Sequence, residues 1–105
     1  SNKPIALSLG CGEGKQEGFG VALKTLYNKE QNKLLFLSAN EDLLMQMKNS
    51  TPLKDLQHIH IVDENTPSDF CKKPAIYLMS FKTYLFWMLR QKTGYTHSVL
   101  KDVKK

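Results

Sequence analysis

Three short apolar runs, Ile5-Ala-Leu-Ser-Leu9, Leu34-Leu-Phe-Leu37 and Ile59-His-Ile-Val62, alternate with stretches whose apolar residues recur at helical spacing. Strands that alternate with helices build a parallel sheet through right-handed crossovers, with the helices packed on its faces. The first run stops at Gly10-Cys-Gly-Glu-Gly14, which is too rich in glycine for helix or strand and so must turn. From Glu17 to Tyr27, the residues Phe19, Ala22, Leu23, Leu26 and Tyr27 mark one helical face, and the polar stretch Asn28 to Lys33 ends it. Gly18 and Gly20 weaken the start of that helix. Asn40 suits the N-cap of a helix from Glu41 to Lys48, whose first turn carries two carboxylates where the helix dipole favours them. In the third run, His58 and His60 share the face opposite Ile59 and Ile61. Asp63 to Lys73 reads as a polar loop, Pro74 as the first turn of a final helix, and Gly94 as its terminator.

The expected fold is therefore a small α/β domain, a three-layer Rossmann-like parallel sheet of order β-α-β-α-β-α with three principal strands. It should occupy residues 1–94, with a basic tail over 95–105. The last helix is the unusual element. Apolar residues at Ala75 to Met79, Phe81, and Tyr84 to Leu89 run nearly all round the cylinder. Such a helix needs cover on every side, and a three-stranded sheet covers only one. A homo-oligomer joined through helix 74–92 is the expectation, with Trp87 in the core or the interface.

A chain of 105 residues with 41% hydrophobic and 24% charged residues is one ordinary globular domain. No apolar run approaches the ~18 residues needed to span a bilayer, because Ser80, Lys82 and Thr83 interrupt the best candidate, Ala75 to Leu89. With no leader-like stretch at the start, a cytoplasmic location is expected. Cys11 and Cys71 then read as free thiols. The three histidines show no metal-ligand spacing, so neither metal nor cofactor is expected. From Arg90 onward, five basic residues face one acid, Asp102, and hold four of the five net positive charges. A basic end can bind nucleic acid or an acidic protein, but its ordinary reading is a solvated tail, and nucleic acid is not an expected partner.

The glycine turn is the main functional signal. Glycines between a strand and a helix let backbone N–H groups approach a phosphate or a carboxylate. The string Leu9-Gly-Cys-Gly-Glu-Gly14 resembles the first motif of methyltransferases that bind S-adenosylmethionine, although Leu37-Ser-Ala-Asn40 lacks the acid which that family places after its second strand. A second resemblance extends roughly from Ile5 to Arg90. Ile5-Ala-Leu, Gly12-Glu13, Ala22-Leu-Lys-Thr-Leu26, Leu37-Ser-Ala-Asn40-Glu41, Ile61-Val62 and Lys73-Pro74 stand in the order found at the start of the bacterial phosphate acyltransferases of phospholipid synthesis. There they resemble a Gly-Asp turn, an Ala-Leu-Lys-x-Leu helix, a Val-Gly-Asp-Glu strand end and a Lys-Pro step. Phe81-Lys82-Thr83-Tyr84 replaces the basic, acidic and serine run of that family, leaving Lys82 as the one counterpart, and its next strand and turn have none between Tyr95 and Lys105.

That resemblance implies a phosphate acyltransferase-like domain, degenerate or truncated and without catalysis on its own. It implies an anionic ligand at Gly10, Gly12, Glu13 and Gly14 with Lys82, and a phosphate-containing molecule or acyl carrier protein as partner. The alternatives are a self-associating interaction module and an S-adenosylmethionine-binding domain. No residue is assigned a catalytic role: Cys11 has no histidine placed by sequence to activate it, and a residue such as Glu13 is more often a solvated loop carboxylate than an acid or base.

Overall fold

The computed structural model describes residues 5–9, 16–30 and 33–101. Its strands are β1 (Ile5–Leu9), β2 (Leu34–Ser38), β3 (Ile59–Val62) and β4 (Ile76–Ser80). Its helices are α1 (Gln16–Glu30), α2 (Glu41–Lys48) and α3 (Phe81–Gln91), with 3-10 turns at Ser68–Cys71 and Ser98–Leu100. All strand pairs are parallel, in the order β1-β2-β4-β3. The three-layer, Rossmann-like α/β architecture is as expected from the alternation of apolar runs. On one face of the sheet, Leu23 of α1 and Leu44 and Met47 of α2 pack on Leu34, Phe36, Ile59, Ile76 and Leu78. On the other, Trp87 of α3, Cys71, Val99 and Leu100 cover Leu35, Leu37, Val62, Tyr77 and Met79.

The sheet has a fourth strand that the sequence pattern does not separate from the final helix. Ile76–Ser80, expected as helix, is β4, which lies between β2 and β3. All five of its residues are buried, as are all five of β2, because consecutive side chains point to opposite faces and both faces are covered. An apolar run of that kind has the same periodicity as a helix buried all round. Pro74 accordingly opens no helix. It precedes β4, and its carbonyl accepts a hydrogen bond from the Tyr27 hydroxyl at 3.4 Å. Helix α3 starts only after Ser80, whose Oγ caps it by accepting from the Thr83 N–H at 3.1 Å. Gly94 ends the segment as expected: its φ of +97° is one that side chains resist, and Tyr95 N–H donates to the Arg90 carbonyl.

The premise for an interface along helix 74–92 therefore changes. Its most apolar stretch is satisfied inside the sheet. What remains on α3 is a narrower exposed stripe, Phe81, Leu85 and Leu89 at spacings of four, beside the buried Thr83 and Trp87.

The segment expected as a tail is also folded. His97, Ser98, Val99 and Leu100 are all buried, and Val99 and Leu100 belong to the core under α3. Composition marks this stretch as basic, but its charges flank an apolar pair that has a core to enter. Lys101 is exposed, and residues 102–105 lie outside the described residues. The expected cap Asn40 is in place, with its Oδ1 accepting from the Asp42 N–H at 2.8 Å.

Candidate functional site

Helices α1 and α2 carry the chain from β1 to β2 and from β2 to β3 over one face of the sheet. The return from β3 to β4 runs through Ser68–Cys71 on the opposite face, where α3 then follows β4. The direction of winding thus reverses between neighbouring strands β2 and β4. In an open parallel sheet, such a reversal opens a crevice outside the carboxyl ends of the strands, because the helices that follow them leave on opposite sides. The register is level there: Leu9 pairs with Ser38, Ser38 with Ser80, and Val62 with Met79.

Short polar side chains close the floor of this edge. Ser38, buried, exchanges hydrogen bonds with the Asn40 main chain, donating to its carbonyl at 3.1 Å and accepting from its N–H at 3.2 Å. Ser80 Oγ donates to Thr83 Oγ1 at 3.1 Å, and Thr83 Oγ1 donates to Glu64 Oε2 at 3.3 Å. A relay of two buried hydroxyls therefore ends on a carboxylate two residues beyond β3. Asp63 is committed elsewhere, since its carboxylate accepts from Asn65 N–H at 2.8 Å and from the Thr66 hydroxyl at 3.1 Å, closing its own turn.

Helix N-termini, among them those of α2 and α3, face this edge and carry partial positive charge. In α2 the first-turn Glu41 and Asp42 offset it. The first turn of α3 has no acid of its own, although the Glu64 carboxylate reaches Thr83 within it, and the exposed Lys82 adds a full positive charge there. Among the described residues Lys82 forms no ion pair. The arrangement suits an anion at the start of α3. Among the described residues, no group of three or more His, Cys, Asp or Glu side chains could hold a metal ion.

Of the site residues expected from sequence, Gly10, Gly12, Glu13 and Gly14 lie outside the described residues, as does Cys11. Lys82 lies at the carboxyl edge. The register sets the last residue of β1, Leu9, one strand from Ser38 and two from Ser80, ~10 Å across the sheet. Ser38, Glu64, Ser80 and Thr83 were not singled out by sequence reasoning. A usable signal was present in Ile61-Val-Asp-Glu64, a strand followed directly by acids, but Ser80 and Thr83 become meaningful only once β4 is recognised.

Cys71, expected as a free thiol, is free and fully buried. Burial pushes its pKa up to about 11, against a smaller opposing effect of the Lys33 charge. Because the folded pKa exceeds the unfolded value of 9.0, the thiol's contribution is complete below pH 9 and is lost as pH rises towards 11. Wild type should lose about 2 kcal/mol more than Cys71→Ala between pH 8 and pH 10.5 in urea titrations. Parallel losses in the two proteins would show that the thiol is not desolvated.

Comparison with protein-family models, with curated proteins and with solved structures finds no match in any of the three.

Proposed function

We propose that this chain is a ligand-binding domain of phosphate acyltransferase-like type, without catalysis on its own, that takes a phosphate-bearing anion at the carboxyl edge of its sheet. The observation that carries this reading is the register that aligns the end of β1, where the glycine-rich segment begins, with Ser38 and with Ser80 at the start of α3. Lys82 supplies charge at that helix start, and the reversal between β2 and β4 is where ligands of open α/β sheets bind. The relay from Ser80 through Thr83 to Glu64 is a means of holding the α3 start rigid. The resemblance in order and spacing favours inorganic phosphate or an acyl phosphate over other anions.

Thermal unfolding in phosphate, sulfate, acetyl phosphate and S-adenosylmethionine tests this. A site with a millimolar constant gains about 1.4 kcal/mol at ten times that concentration, a rise of roughly 6 °C in Tm for a chain this size. Phosphate or acetyl phosphate should give that rise, sulfate much less, and Lys82→Gln should remove most of it while leaving the ligand-free Tm in place. Equal responses to phosphate and sulfate, or none to either, would refute the reading. A response to S-adenosylmethionine alone would replace it with the methyltransferase-like one.

A further inference from the structure

At the opposite end of the sheet, a cleft of about 360 Å³ opens where the chain enters β3 and β4. Its wall is built from rings. His60, on edge strand β3, stands in register with Tyr77 of β4, and their rings lie 5.9 Å apart. Phe70, from the turn Ser68–Cys71, meets His60 edge to face at 4.7 Å. The Tyr77 hydroxyl is tied to the Lys73 carbonyl, which joins the cleft wall to the residue at its mouth. Phe70 is buried on one side only and remains 50% exposed, so an aromatic surface is left open beside a half-buried imidazole.

The charges around the rings are mainly positive. Lys73 lines the cleft, is exposed, and among the described residues has no carboxylate partner. His58 lines it too, with its ring 6.0 Å from Tyr27 of α1. The acid in the lining, Asp69, is held by Lys72 at 2.9 Å. The pKa of His60 is lowered, first by burial and then by the charges of Lys48 and His58. A volume within the range of small-molecule sites, flat apolar walls and an uncompensated cation at the mouth together define one class of ligand.

We propose that this cleft binds a small planar aromatic carboxylate, its ring against Phe70 and His60 and its carboxylate at the Lys73 ammonium. The site is separate from the carboxyl edge, and neither depends on the other. Benzoate is the probe, added to the full chain and followed by the His60 and Phe70 NMR signals. Cyclohexanecarboxylate supplies the charge without the flat ring, benzyl alcohol the ring without the charge, and inorganic phosphate a charge alone. Benzoate should shift both residues saturably in the millimolar range and raise the pH midpoint of His60, because a bound anion opposes Lys48 and His58. Phe70→Ala and Lys73→Gln should each weaken benzoate about fivefold. Phe70→Leu, which keeps the bulk but loses the ring, should weaken it as well. The proposal fails if benzoate does not saturate at His60, if Phe70→Ala and Phe70→Leu bind it as wild type does, or if any comparison compound shifts His60 with equal affinity.

Discussion

Phe36→Ala should remove about 3–5 kcal/mol of folding stability, a large part of the total of roughly 5–15 kcal/mol that a domain has. Phe36 is fully buried in β2, with Leu7 and Leu78 as its partners in register. Its ring meets that of Phe19 from α1 edge to face at 5.9 Å, and the surrounding cluster includes Leu23, Leu44 and Met47. Alanine would leave a void among groups contributed by two strands and two helices, which cannot all close inward. Urea unfolding followed by tryptophan fluorescence measures the loss and also tests cooperativity. The single tryptophan, Trp87, belongs to the cluster on the opposite face of the sheet. If both layers unfold as one unit, its transition should move to lower urea by about 2 M or more. If the alanine variant does not fold, Phe36→Leu should show a smaller loss of about 1–2 kcal/mol by the same signal. A loss under about 1 kcal/mol for alanine would contradict the central position of β2.

His97→Ala should cost about 3 kcal/mol, although His97 lies in what composition marks as a solvated end. The side chain is fully buried, and both ring nitrogens are engaged. Nδ1 accepts from the Val99 N–H at 3.0 Å, which places the ring proton on Nε2, and Nε2–H donates to the Thr66 carbonyl at 2.7 Å. The ring also lies 4.3 Å from that of Trp87. Removing it leaves a buried N–H without a partner, which costs about 1–3 kcal/mol, and a half-buried carbonyl that water can reach in part. The loop after β3 would also come free of the segment that ends in Val99 and Leu100. Thermal or urea unfolding of His97→Ala gives the number, and truncation after Gly94 should cost more, since it also removes the buried Val99 and Leu100. Unchanged stability in both variants would restore the tail reading.

What could be read from the sequence was what short-range forces settle. Ile5–Leu9 forms a strand, Asn40 caps α2, and Gly94 stops the segment after α3, because each depends on groups within a few residues of one another. The alternation of strand and helix, and with it the three-layer parallel class, follows from the same local patterns. The identity of β4 does not. Ile76–Ser80 is a strand because β2 and β3 offer hydrogen-bond ladders on its two sides and helices cover both its faces. The same apolar letters would suit a buried helix if those neighbours were absent.

The site divides along the same line. Lys82 was legible as a residue worth attention, but its place at the carboxyl edge required β4 to end just before it. Thr83 and Glu64 meet across nineteen residues of chain, and His97 and Thr66 across thirty-one. His60, Phe70 and Tyr77 form one wall only because edge strand β3 pairs with β4 and the turn Ser68–Cys71 packs beside them. Contacts of this range are set by strand order and register. These in turn follow from which apolar faces can be buried together, a property of the whole packed chain rather than of any segment within it.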